Sequence, residues 1–183
     1  NGIGYIRASL NEQDDENFEQ LNEKHIKYEE ITDRIEFEIA SYLNEVSKGH
    51  LSDESKARIK SLYKIIGEME SLGDSGEAIG RILKRKNAHG KVFDKSILDR
   101  LNKMMDLVQK GYDVMIENLK NTDLKDISNA ENCEYNINEC RNHLREEHIV
   151  NIESDSYNYL TGVYYMDVLS ELEKIGDFLI NIS

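Results

Sequence analysis

Two short segments of the chain carry the same pair of carboxylates. Residues 68–74 read EMESLGD, and residues 171–177, which lie 103 positions later, read ELEKIGD. The paired acids are Glu70 with Asp74 and Glu173 with Asp177. Because positions four apart share one face of a helix, the two carboxylates of each pair repel each other. A hard cation with oxygen ligands is the simplest partner that relieves this repulsion, so the repeated pair predicts metal binding.

Acidic pairs alone are weak evidence in this chain. Placing its 36 acidic residues at random among 183 gives about seven pairs at this spacing. The surrounding block adds weight, because Gly73 and Gly176 directly precede the Asp at the edge of an apolar stripe. A Gly inside a helix costs about 1 kcal/mol relative to Ala, yet it allows another helix or a metal shell to come close. A structural explanation, in which each Gly only permits tight packing and the acids are solvated, stays open.

Composition excludes several classes of function. The net charge of −13 argues against binding to nucleic acid or to an anionic membrane surface. The absence of proline fits long uninterrupted helices. No apolar run reaches the length of a membrane span, and no signal peptide is visible. Because the first residue is Asn, we expect a piece of a larger polypeptide or a processed chain. Cys133 and Cys140 are expected to be buried, reduced side chains.

Apolar spacing predicts an all-α bundle of five long helices with short loops. The helices are expected at about Asp14–Ser47, Asp53–Lys86, Asp94–Asn121 and Asp123–Val150, with a fifth after a cap at residues 154–156. The first helix carries a seam spaced alternately three and four, which favours shallow antiparallel crossings. The segment 74–77 is taken as helical. The break at residues 87–90 divides the chain into two parts, 1–90 and 91–183.

The two Gly-Asp blocks, together with residues 28–33 and 141–144, resemble PhoU domains. The similarity is greatest to the C-terminal cytoplasmic PhoU domain of bacterial sodium/phosphate cotransporters. The resemblance implies tandem up-down helical bundles, one repeat in residues 1–90 and a second in 91–183. Only about ten residues precede the long first helix, so the first helix of the first repeat is expected to be truncated or missing.

The resemblance also implies a function. PhoU-like domains regulate phosphate transport from the cytoplasmic side, so we expect a regulatory domain, not an enzyme, at the inner face of the membrane. Its expected partner is the membrane part of a phosphate transporter in the same polypeptide. A bound divalent or ferric ion (iron, zinc, magnesium or calcium) is implied. Carried over by position, its ligands are Glu70, Asp74 and Asp33 in the first repeat, and Glu173 and Asp177 in the second. Asn138 stands where the second repeat should match Asp33, which weakens that site.

Three further expectations complete the sequence prediction. Two long helices without a full third partner leave an apolar seam exposed, so a homodimer or upstream residues should cover it. A ferritin-type di-iron enzyme needs Glu-x-x-His, and none of the five His residues has a Glu three positions earlier. A metal-free helical adaptor or dimerisation domain is the alternative function, although it leaves the repeated acids unexplained.

Overall fold

Six α-helices and no strand make up the part of the chain that the structure, a computed structural model, describes: residues 2–12, 14–121, 127–153 and 158–183. The helices are α1 (Gly2–Asn11), α2 (Asp15–Ser47), α3 (Asp53–Ala88), α4 (Lys95–Lys120), α5 (Ser128–Glu153) and α6 (Tyr159–Ile182). The predicted all-α bundle is confirmed, and residues 74–77 are helical as expected. The predicted helix start at Asp123 and the cap at residues 154–156 lie outside the described residues.

Local sequence signals set the helix ends. Asp14 accepts a hydrogen bond from the backbone N–H of Asn17 at 2.9 Å, which caps α2. Ser52 and Asp94 cap α3 and α4 in the same way. Gly90 follows α3 with a φ of 61°, a left-handed conformation that favours glycine. These caps were readable from the sequence, because each is a Ser or Asp directly before an amphipathic stretch.

The core lies where α3, α4, α5 and α6 pack together. Helix α6 contacts the other three, and α3 also packs along α2. The side chains buried most deeply include Leu101, Met104, Met105, Tyr165, Leu169 and Leu172. Both cysteines are buried and unpaired, as predicted. None of the helices in the described ranges is long and apolar enough to cross a membrane.

The sequence predicted a truncated or missing first helix, and α1 is a truncated one. Ten residues are too few for a stable isolated helix, so its packing must hold it in place. Ile6 and Leu10 are buried, and Ser9 Oγ lies 2.9 Å from His25 Nε2 of α2 in a buried hydrogen bond. The rings of Tyr5 and Tyr28 are 5.5 Å apart, close to the point where α1 begins.

Beyond Tyr28, the seam between α2 and α3 is not covered by α1. Apolar positions of this seam are exposed there, as expected for two long helices without a full third partner. These residues and their exposed fractions are Ile35 43%, Tyr42 68%, Leu62 44% and Met69 43%. The hairpin of α2 and α3 therefore presents an apolar stripe along the half that lies away from α1.

Candidate metal centre

A close crossing of α2 and α3 builds the candidate site. A Cβ atom on Gly73 would collide with Thr32 Oγ1, so only glycine allows α2 to lie this near. The Thr32 hydroxyl is held by its own helix, since it donates to the backbone carbonyls of Glu29 at 2.9 Å and Tyr28 at 3.2 Å. The residues that follow the two contact points, Asp33 and Asp74, are thereby brought together across the two helices.

Three carboxylates meet at this crossing. Glu29 and Asp33 of α2 and Asp74 of α3 each offer an oxygen atom, and these atoms all lie within 4.8 Å of one another. The sequence predicted Asp33 and Asp74 as ligands. It missed Glu29, although Glu29 and Asp33 form the same four-residue spacing that drew attention to Glu70 and Asp74. Glu70 is not one of the three, and lies one helical turn before Asp74 on α3.

The electrostatic environment of the site disfavours its negative charges. The pKa of Glu29 is raised, first by partial burial and then by Asp33, with smaller contributions from Glu77 and Asp74. The pKa of Glu70 is also raised, again first by burial and then by Asp74. Within the described residues, no Lys or Arg forms an ion pair with Glu29, Asp33 or Asp74. The repulsion at this site is therefore not relieved by a basic side chain.

The donor atoms at this site suit a hard cation. All three groups are carboxylates, and neither Cys nor His belongs to the group. Carboxylate oxygens favour magnesium, calcium, manganese or ferric ions, whereas structural zinc sites are usually built from Cys and His. Asp33 and Asp74 are exposed and Glu29 is partly buried, so an ion would retain water on its outer side. The residues present therefore fit an oxygen-ligated ion.

The second pair of acids has a different environment. Gly176 packs against Ile137 of α5, where an added Cβ would lie 2.9 Å from Ile137 Cδ1. Glu173 is bound by the guanidinium of Arg141, which also comes from α5. The pKa of Asp177 is raised by burial first and then by Glu173 and Glu134, while Arg141 lowers it. Glu173 and Asp177 are thus positioned by a similar helix crossing, but one of them already has a positive partner.

Comparisons with known proteins agree with this architecture. Residues 101–183, just under half of the chain, match the family described as PhoU domain. The structure is similar to the crystal structure of PhoU from Pseudomonas aeruginosa, with a TM-score of 0.67 and 15% sequence identity, over 99% of this chain and 88% of that chain. At this identity the similarity establishes the fold. No curated protein sequence matches the chain.

The chain therefore has a PhoU-like fold. Its second half carries the sequence pattern of the family, and the described helices have the PhoU fold from end to end. The PhoU domain is characteristic of a family that regulates phosphate transport.

Proposed function

We propose that this PhoU-like domain is a regulator of phosphate transport, not an enzyme, and that it binds a hard cation between α2 and α3. The observation that carries the proposal is the meeting of Glu29, Asp33 and Asp74 within 4.8 Å, with no basic side chain bound to them among the described residues. An ion bound there would offset their mutual repulsion and hold α2 against α3. Glu70 would act from the edge of the site by adding negative charge.

Thermal unfolding of the whole chain with added Mn²⁺ tests ion binding. An ion that binds only the folded state stabilises it by about 2.7 kcal/mol at a concentration about 100 times its Kd. For a chain of this size, each kcal/mol raises the Tm by about 2–4 °C. We expect Asp33→Asn and Asp74→Asn to lose most of this rise. Glu54→Gln is the matched control, because it also removes one negative charge from α3, at an exposed position near the start of that helix.

The metal-free adaptor makes the opposite prediction for the same variants. If no ion binds, Mn²⁺ leaves the Tm of the parent chain unchanged, and Asp74→Asn, which relieves repulsion between carboxylates, has a higher Tm than the parent chain even with Mn²⁺ added. That result would remove ion binding from the proposal and leave a helical interaction domain.

We further propose that the chain consists of two repeats, residues 1–90 and 91–183, and acts on the membrane part of a phosphate transporter at its cytoplasmic face. The family of the second half supports this role. The test is phosphate uptake by cells whose transporter carries or lacks this domain, together with the flanking coding sequence. Unchanged uptake, or flanking sequence without membrane spans, would count against attachment to the transporter.

A homodimer through the α2–α3 hairpin is the proposed state in solution. Its support is the apolar stripe formed by Ile35, Tyr42, Leu62 and Met69, which α1 does not reach. Sedimentation over roughly 1–100 µM should show a dimer that Tyr42→Asp converts to a monomer, because a buried charge at the interface is costly. Tyr135→Asp, at an exposed position on α5, is the control. A monomer at every concentration would contradict the homodimer, and the apolar stripe would then have to be covered by residues outside this sequence.

A further inference from the structure

The ion pair between Arg141 and Glu173 is the most enclosed ion pair among the described residues. Each side chain is only 20% exposed. The pair joins α5 to α6 at the repeated acidic motif, where Asp177 lies one turn beyond Glu173. Arg141 Nε is buried and has no hydrogen-bond partner in the described part of the chain. The guanidinium is thus enclosed by the protein beside the acids of this motif.

The glycine contacts show which positions of the two halves correspond. Gly73 meets Thr32 on α2, and Gly176 meets Ile137 on α5. When Thr32 is matched with Ile137, three positions of the first site acquire counterparts on α5. The matched pairs are Glu29 with Glu134, Asp33 with Asn138, and Glu36 with Arg141.

Electrostatics support this correspondence independently of the glycine contacts. In the first half, Glu29 and Asp74 are close enough for Asp74 to raise the pKa of Glu29. In the second half, Glu134 raises the pKa of Asp177. The two carboxylates that correspond to Glu29 and Asp74 are therefore neighbours again, and the sites have the same layout.

The layouts match, but the charges differ. The first half has a carboxylate at all five positions: Glu29, Asp33, Glu36, Glu70 and Asp74. The second half has Glu134, Asn138, Arg141, Glu173 and Asp177. One carboxylate has become an amide and another a guanidinium, so a site with five negative charges corresponds to one with three negative charges and one positive charge.

We infer that Arg141 is the fixed cation of the second half and occupies the role that a metal ion fills in the first. Glu173 and Asp177 then ligate no ion, and the chain has a single ion site, on α2 and α3. To bind a metal, the second half would have to expel a guanidinium that is already desolvated and bonded to Glu173, and would leave that positive charge unpaired. The single site itself rests on the function proposed above, whereas the exclusion of an ion by Arg141 does not.

The test counts Mn²⁺ ions bound to the full chain by calorimetry and native mass spectrometry. We expect one equivalent for the parent chain and two for Asn138→Asp/Arg141→Glu, which gives the second half the charges of the first. The mirror variant Asp33→Asn/Glu36→Arg, which gives the first half the charges of the second, should bind none. The circular dichroism spectrum of each variant serves as the control for folding, and it should show the same helical signal as the parent chain.

Two results would overturn the inference. One is a parent chain that binds two equivalents and loses one in Glu173→Gln/Asp177→Asn. The other is a folded Asn138→Asp/Arg141→Glu variant that gains no ion. If the double variant does not fold, Arg141→Gln is used in its place. The inference then requires that Mn²⁺ raise the Tm of Arg141→Gln by more than it raises the Tm of the parent chain. An equal rise would overturn the inference.

The same data separate this inference from the proposed function. If the parent chain binds no ion, the proposed site in the first half fails. If Asn138→Asp/Arg141→Glu then binds one Mn²⁺ ion, the role of Arg141 is still supported. If that variant also binds none, both the proposed site and the role of Arg141 are overturned.

Discussion

Replacing Gly176 by Ala should destabilise the protein, although the same change normally stabilises a helix. The added Cβ would lie 2.9 Å from Ile137 Cδ1 and 3.0 Å from Ile137 Cγ2. Ile137 is 1% exposed and packed within the core, so it has little room to move away. The substitution therefore tests whether the glycine of the repeated block is there because α5 and α6 cross so closely.

The expected magnitude follows from two opposing terms. Ala gains about 1 kcal/mol over Gly in a helix interior. Overfilling a packed core costs about 1–3 kcal/mol. For contacts this short with a side chain that cannot yield, we place the cost near the upper end, which leaves a net loss of about 1–2 kcal/mol and a Tm lower by about 3–6 °C.

Gly67 provides the matched control. It lies within α3, and a Cβ there meets nothing within 4 Å, so Gly67→Ala should gain about 1 kcal/mol and raise the Tm by about 3 °C. The assay is thermal and urea unfolding followed by circular dichroism for both variants. In an Ile137→Ala background, where the obstacle is absent, Gly176→Ala should become stabilising.

The reasoning is refuted if Gly176→Ala raises the Tm as Gly67→Ala does. The α5–α6 crossing would then be loose enough to accept a methyl group, and the glycine would not be explained by close packing. A loss of stability that persists in the Ile137→Ala background would also contradict it, because the cost would then not come from Ile137.

Other changes test the electrostatics and the polar core. Without added cations, stability should fall as pH rises above 4.5, because the pKa of Glu29 is raised in the fold and the unfolded chain ionises first; urea unfolding should show a smaller fall for Glu29→Gln. Burial lowers the pKa of His25, so stability should also fall as pH drops below 6.5, and NMR titration should place the imidazole pKa below that value. A pKa at or above 6.5 would contradict its burial. Asn129→Ala should cost about 1–3 kcal/mol in urea unfolding, because Asn118 loses its amide partner; no loss would mean that water replaces it.

Much of the fold was accessible from the sequence because its signals are local. Apolar spacing placed three helix starts, expected at about Asp14, Asp53 and Asp94, to within about a residue. The sequence did not decide between a truncated and a missing first helix, because the ten residues of α1 include two glycines and depend on packing against α2 and α3. The sequence predicted an exposed apolar seam, but not that its exposed part includes Leu62 and Met69, since spacing shows which face is apolar and not what covers it.

The site was only partly accessible for the same reason. Asp33 and Asp74 could be named from a repeated block and a family resemblance. Glu29 joins them only because α2 approaches α3 at Gly73, a contact between residues distant in sequence. Likewise, the bond between Arg141 and Glu173 spans 32 positions, and no local pattern indicates that these two residues meet.

The short length of α1 has a consequence for how the molecule opens. The first buried residue of α3 is Ile66, so the turns of α3 before it, residues 53–65, pack mainly against α2. On α2, Leu43 is the buried residue beyond His25, and Tyr63 Oη donates to the carbonyl of Ala40 at 3.0 Å. So few tertiary contacts make the end of the hairpin a separate unit of low local stability, whose amide protons should exchange with solvent well before those of α6. A partner that binds along that end of the hairpin would therefore shift the local opening equilibrium, which has a small free energy, and would leave the unfolding free energy of the rest of the domain unchanged.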